Sequence, residues 1–368
     1  MIEPSLFYQS LYEKGMDFFT GVPDSLLQAL CACLSERTGR NYVIAANEGN
    51  AVGIAAGHYL ATGKPGVVFL QNSGIGNAVN PLLSLADPLV YRIPMLLLIG
   101  WRGEPDTQDE PQHKKQGLVT IPLLESMGIP VRILDANWED ALQDAAKHMQ
   151  NGNIQALLIR KGTFSEYPFQ PAPCSFSMTR EHALSVILSC LSPEDFVVST
   201  TGKTSRELFE LRQAAGQGHG QDFLTVGSMG HASSIALGLS LASSKNIYCI
   251  DGDGAFLMHM GACAVNGCTG GDNFKYIVLN NGCHESVGRQ KTVGFRIHME
   301  AILEGCGFAV CRAETEAQLR QGIKRLAKQK AALVVYIRPG SRADLGRPTS
   351  TPEENKHCFM EAIQFRHR

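Results

Sequence analysis

The stretch Tyr248–Thr292, YCIDGDGAFLMHMGACAVNGCTGGDNFKYIVLNNGCHESVGRQKT, constrains the fold more than any other part of the chain. Its first apolar run, Tyr248–Ile250, reads as a buried strand and stops at the breaker Asp251-Gly252-Asp253-Gly254. The pattern then predicts a helix from about Ala255 to Asn266 and a second buried strand, Tyr276–Leu279, ending at Asn280-Asn281-Gly282. Strand, Gly-rich turn, helix, strand is one βαβ unit, in which ligands lie just past the carboxyl ends of the strands. Asp253 and Asn281 are 28 positions apart in sequence, yet this unit sets them at neighbouring strand ends.

The same alternation of short apolar runs and helical patterns extends to both sides. At 368 residues the chain is long enough for two domains with separate cores. Three prolines within Pro168–Pro173 can neither continue a helix nor pair in a central strand, so a linker is expected there. The predicted architecture is α/β: two doubly wound, mainly parallel-sheet domains over 1–165 and 179–368, joined by a linker at 166–178. A net charge of −2 leaves no electrostatic case for nucleic acid or an anionic membrane surface. The longest strongly apolar run, Ile93–Ile99, is too short to span a bilayer, and the N-terminus lacks a basic, then apolar, leader pattern. Eleven cysteines without a CxxC pair point to free thiols in a reducing, cytoplasmic compartment.

A carboxylate and an amide oxygen are hard ligands suited to Mg²⁺, which completes its octahedron with water and phosphate oxygens. Gly252 and Gly254 allow close backbone approach, and a following helix presents free N–H groups to an anion. The pair therefore asks for a metal-bound diphosphate. Either half alone would read as an Asp-Gly or Asn-Gly turn; the joint pattern favours a site.

Two other segments compete for a nucleotide. In Asn72-Ser73-Gly74-Ile75-Gly76-Asn77 the third glycine of a dinucleotide loop is missing, Val79 standing in its place. In VVSTTGKTSREL, Gly202-Lys203-Thr204 resembles the end of a P-loop, but the motif's first glycine would fall at Val197, inside a strand. Elsewhere the residues leave alternatives open. Asp24 either caps the helix after Gly21-Val22-Pro23 or faces a reacting carbon. Glu48, where a strand turns into the helix AVGIAAGHYLATG, either complements a helix dipole or serves chemistry. The polar stretch from Trp101 to Gly117 reads as a long loop, with Arg102, His113, Lys114 and Lys115 as candidates.

GDG, 25 residues, then NN resembles the signature of thiamine diphosphate-dependent enzymes. NEGNAVGIAAGHYLATG, STTGKTSREL and HESVGRQKT resemble stretches of the short 2-oxoacid decarboxylases of the phosphonopyruvate and sulfopyruvate type, which lack a middle domain. Arg289 and Lys291 depart from that pattern, which has Gly and Pro there. The resemblance implies Mg²⁺ held by Asp253, the Asn281 side chain and the Cys283 carbonyl. The diphosphate would meet the backbone of Gly254 and Ala255. Asn72 and Ser73 would neighbour the pyrimidine, Gly227 would accept its amino group and Met229 would wedge between the cofactor rings. Glu48 would protonate the pyrimidine, and Asp24 or His284 would supply the later proton. A second anionic group on a 2-oxoacid calls for Ser25, His113, Arg289, Gln290 and Lys291. The resemblance further implies a homo-oligomer. A sulfopyruvate decarboxylase, a carboligase and a nucleotide-binding protein stand as the other readings.

Overall fold

The computed structural model describes residues 1–171 and 173–365. Its contacts divide the chain into two units, Met1–Pro171 with Val287–Gln290, and Ala172–Ser286 with Lys291–Arg368. In the first unit the strands are β1 (Phe19–Gly21), β2 (Tyr42–Ile44), β3 (Gly66–Gln71), β4 (Met95–Gly100), β5 (Val131–Ile133) and β6 (Ile154–Ile159). They form one parallel sheet in the order β2-β1-β3-β4-β6-β5. In the second unit β7 (Phe196–Ser199), β8 (Asp222–Leu224), β9 (Ile247–Gly252) and β10 (Phe274–Asn280) are followed by the short β11 (Cys283–His284), and the short β12 (Gln290–Lys291) spans the point at which the chain returns to this unit. The unit closes with β13 (Ala309–Ala313) and β14 (Ala331–Tyr336). Its parallel sheet runs β13-β14-β10-β9-β7-β8. Counted within each six-stranded sheet, leaving out the separate β11-β12 pair, both have the same order, second-first-third-fourth-sixth-fifth. The two halves thus repeat one topology that no similarity of residues announced.

Successive side chains of a strand point to opposite faces, so a sheet covered on both sides needs continuous apolar strands. Val68, Leu70, Leu97 and Ile99 join one core of the first unit, while Val67, Phe69, Leu96 and Leu98 join the other. In the second unit Tyr248, Ile250, Ile277 and Leu279 lie on one face, and Ile247, Cys249, Tyr276 and Val278 on the other. In both units the strand order reverses between the first and third strands, and such switch points open a crevice at the carboxyl ends. Among the described residues no helix is long and apolar enough to cross a membrane.

Two expectations need correction. The stretch from Trp101 to Gly117 is a loop only as far as Glu110, because Pro111 opens helix α5 (Pro111–Ser126). Proline is preorganised for the first helical position, where its missing N–H costs nothing. Also, Ala255–Asn266 is not one helix. It divides into α6 (Asp253–Met258) and α7 (Ala262–Thr269), with His259 at φ −132° between them.

Helix α5 lies against the loop through two glycines. A Cβ on Gly117 would fall 1.5 Å from the Gly103 carbonyl oxygen, and one on Gly103 2.0 Å from the His113 carbonyl oxygen. Both neighbours are backbone and cannot yield cheaply. Gly117→Ala is therefore expected to destabilise the first unit by about 1–3 kcal/mol, read as a lower denaturation midpoint at unchanged slope.

Candidate functional site

In the second unit β9 and β10 are adjacent and parallel, with Gly252 opposite Leu279, so the residues just beyond them meet. The Asp253 carboxylate accepts from the backbone amides of Asn281 and Gly254 and from the Thr292 hydroxyl. Burial pushes its pKa up to about 6 against these donors. Asn281 is buried beside it; its Nδ2 donates to Glu285 at 3.0 Å, and its Oδ1 accepts from the Cys283 amide at 3.1 Å. A Cβ on Gly254 would lie 2.8 Å from His284 Nδ1 and 3.2 Å from Met229 Cε. Gly254, His284 and Met229 therefore converge, and only a glycine leaves room between them. Ala255 is buried in the first turn of α6. Met229 is carried there by a strained turn: Ser228 has φ 51° and Gly230 φ 86°, with half-buried Gly227 leading in. Burial lowers the His284 pKa to about 4, so its ring is neutral and offers an N–H without a charge.

In the first unit Glu48 opens helix α3 (Glu48–Thr62), whose N-cap Asn47 accepts from the Asn50 amide at 2.9 Å. Only 5% of Glu48 is exposed, and Asn77 Nδ2 donates to its Oε2 at 2.7 Å. A Cβ on Gly74 would fall 2.2 Å from Glu48 Oε1. Gly74 of NSGIGN thus makes room for this carboxyl group, whereas a Cβ on Gly76 would meet open space. Burial raises the Glu48 pKa against the Asn77 bond, the opposite of what a solvated first-turn acid shows. A Cβ on Gly53 or Gly57 of the same helix would meet open space.

Asp24 is fully buried beyond β1. Its Oδ2 caps Leu26 at 2.8 Å, and its Oδ1 finds no partner among the described residues. The last residue of β4 is a glycine because a Cβ on Gly100 would lie 2.1 Å from Asp24 Oδ2. One oxygen therefore caps the turn, and the other, on a carboxyl group whose pKa burial raises to about 6, is uncommitted.

Ser25 and His113 belong to one network. Arg102 donates to Ser25 Oγ at 2.9 Å and to Asp109 at 2.8 Å, and His113 Nδ1 stands 2.9 Å from Asp109. Burial alone would raise the Asp109 carboxyl, but Arg102 and His113 hold it well below the usual range. A carboxylate at Nδ1 fixes the proton there and leaves Nε2 facing Gln71 at 3.4 Å. Asn72 donates to the Arg102 carbonyl at 2.8 Å and to Thr120 at 2.9 Å, so its amide braces the loop. Ser73 is exposed and accepts from Gln71. Gln290 is buried with Nε2 unpartnered among the described residues. Arg289 is exposed at φ 60°, so it keeps the backbone form natural to the glycine of the resembled pattern. Lys114, Lys115 and Lys291 are exposed.

Two family models match the chain: thiamine pyrophosphate enzyme, N-terminal TPP binding domain, over residues 5–121, and its C-terminal TPP binding domain over 200–337. A phosphonopyruvate decarboxylase of Streptomyces hygroscopicus is 33% identical over 390 residues, covering 98% of this chain and 94% of that protein. The chain belongs to the thiamine pyrophosphate enzymes. A second phosphonopyruvate decarboxylase, of Streptomyces viridochromogenes, is 32% identical with coverages of 95% and 92%. A sulfopyruvate decarboxylase of Methanosarcina acetivorans is 28% identical with 96% of each covered.

For a thiamine pyrophosphate enzyme the donor set fits the cofactor. Asp253 and Asn281 supply one carboxylate and one neutral oxygen, too few for a closed protein cage. Among the described residues no group of three or more His, Cys, Asp or Glu could hold a metal ion. Such a partial set suits Mg²⁺, which takes its remaining ligands from phosphate and water. The sequence reading missed Asn77, Asp109, Thr292 and the Arg180–Glu285 pair. Asn77 had a local signal as the last residue of NSGIGN, and Glu285 and Thr292 lie within the run HESVGRQKT; Asp109 and Arg180 belong to no such motif. The Lys203 ammonium of the P-loop-like turn is engaged by Glu285 at 3.3 Å and Ser341 at 2.7 Å.

Proposed function

We propose that the chain decarboxylates 3-phosphonopyruvate to phosphonoacetaldehyde and CO2, using thiamine diphosphate and Mg²⁺ as a cytoplasmic homo-oligomer. The observation that carries this reading is the meeting of Asp253, Asn281 and the Gly254 cradle at two adjacent strand ends, in a chain aligned almost end to end with two phosphonopyruvate decarboxylases. The cofactor supplies the electron sink into which the carboxylate's bonding pair passes as CO2 leaves.

The chain's own residues bind, orient and move protons. Asp253, Asn281 and the Cys283 carbonyl would hold Mg²⁺, and Gly254, Ala255 and the His284 N–H would meet the diphosphate. Glu48 holds a proton at a buried carboxyl for a ring nitrogen. Asp24 Oδ1 and His113 Nε2 are the proton-handling atoms at the substrate end. Gln290 Nε2 and the Ser25 hydroxyl are neutral donors for the second anionic group, and Arg102, 2.9 Å from Ser25 Oγ, contributes positive charge beside that hydroxyl.

Purified protein with Mg²⁺ and thiamine diphosphate is expected to release CO2 from phosphonopyruvate in preference to sulfopyruvate and pyruvate. A preference for sulfopyruvate would shift the assignment to the sulfonate, and no turnover of any 2-oxoacid would overturn it. Gln290→Ala is expected to raise KM about tenfold, a loss of about 1.4 kcal/mol of binding, with kcat little changed. An unchanged KM would remove Gln290 from the anion site.

A further inference from the structure

The P-loop-like turn and the loop after β10 pack together within the second unit. A Cβ on Gly202, whose φ is 94°, would lie 2.9 Å from Ser286 Oγ. From this turn Lys203 reaches Glu285 Oε1 at 3.3 Å. One turn further along the same helix, Glu207 takes two bonds of 2.8 Å from Arg180, whose third nitrogen donates to Glu285 Oε2 at 2.9 Å. Arg180, Glu207 and Glu285 are all buried. Glu285 Oε2 in turn accepts Asn281 Nδ2 at 3.0 Å.

A buried ion cluster is a weak stability device, because desolvation offsets most of its Coulomb gain. What this one does is directional. An amide that turns its NH2 toward a carboxylate must turn its oxygen away, since the flipped amide would set oxygen against oxygen. The Cys283 amide, at 3.1 Å from Asn281 Oδ1, fixes the other end and leaves that oxygen one lone pair. Lys203 and Arg180 keep Glu285 in place from opposite sides.

We propose that Glu285, clamped by Arg180 and Lys203, is a positioning residue that aims the Asn281 oxygen at the metal ion. The GKTSRE segment then serves as a brace for the metal loop and not as a nucleotide site. The proposal rests on the reading that Asp253 and Asn281 hold Mg²⁺. Partners of this kind, which orient a ligand, typically change metal affinity 10–100-fold when removed.

The test is calorimetric binding of thiamine diphosphate at a series of Mg²⁺ concentrations without substrate, with thermal unfolding of the cofactor-free proteins alongside. Glu285→Ala is expected to raise the Mg²⁺ concentration for half-saturation by roughly 10-fold or more. Glu285→Gln, which keeps an acceptor for Asn281, should recover most of that loss. Lys203→Met should shift it about threefold in the same direction without lowering the unfolding temperature of the cofactor-free protein. Wild-type Mg²⁺ dependence in Glu285→Ala overturns the proposal. Should that variant fail to fold, wild-type dependence in Lys203→Met overturns it equally. A wild-type protein that binds no thiamine diphosphate would instead sink the metal reading itself.

Discussion

Asp253→Ala is expected to abolish Mg²⁺-dependent binding of thiamine diphosphate while both sheets remain folded. Asp253 is the only carboxylate proposed to ligand the metal, and it is buried where water cannot substitute for it without opening the Thr292 and Asn281 contacts. Removing a residue that merely orients a metal ligand costs 10–100-fold, so loss of the charged ligand should exceed about 100-fold. Thermal unfolding reads the effect without any assumption about substrate. At 100-fold excess over its dissociation constant a ligand stabilises the native state by about 2.7 kcal/mol. Wild-type protein should therefore unfold at a higher temperature when Mg²⁺ and cofactor are added together, and chelating the metal should reverse the shift. The variant should show no shift at the same concentrations. An upward shift equal to that of the wild type would mean that another group anchors the diphosphate, and the site would have to be redrawn.

How far the sequence reached depended on whether a feature is local in the chain. Strands buried on both faces must be continuous apolar runs, so Tyr248–Ile250 and Tyr276–Leu279 were legible as the interiors of Ile247–Gly252 and Phe274–Asn280. The short strands Phe19–Gly21 and Asp222–Leu224 were not, because three residues carry no period. The meeting of Asp253 and Asn281 was legible because a βαβ unit turns separation in sequence into adjacency at the sheet edge, as the Gly252–Leu279 register shows. Residues that orient that pair were beyond reach. Arg180 lies 105 positions from Glu285, and Asp109 gave no sign that it would join Arg102 to His113. Long-range side-chain pairing leaves no periodic trace. The break at His259 was missed for a different reason: the apolar pattern runs through it, and tertiary packing decided the geometry.

Glu48→Gln separates the two meanings of a buried acid at a helix N-terminus, since they predict stability changes of opposite sign. A carboxylate that only complements the dipole has a lowered pKa, and its removal destabilises the protein at neutral pH. Glu48 is raised by burial in spite of the Asn77 bond. The folded state therefore holds its proton more tightly than the unfolded chain, where glutamate titrates near about 4.3. That contribution is fully present below the unfolded value and is lost as pH rises through the folded one. Glutamine carries no such proton. Wild type and variant should be equally stable in acid, and the variant should gain on wild type as pH rises toward neutrality, as denaturant midpoints at several pH values would show. Activity should move the other way, falling roughly 10²–10⁴-fold in kcat as expected for a lost general acid, with cofactor affinity little changed. A stabilised protein that has lost turnover is what a residue kept for chemistry at the expense of the fold should leave behind. A destabilised, active variant would return Glu48 to the role of an ordinary helix-capping acid.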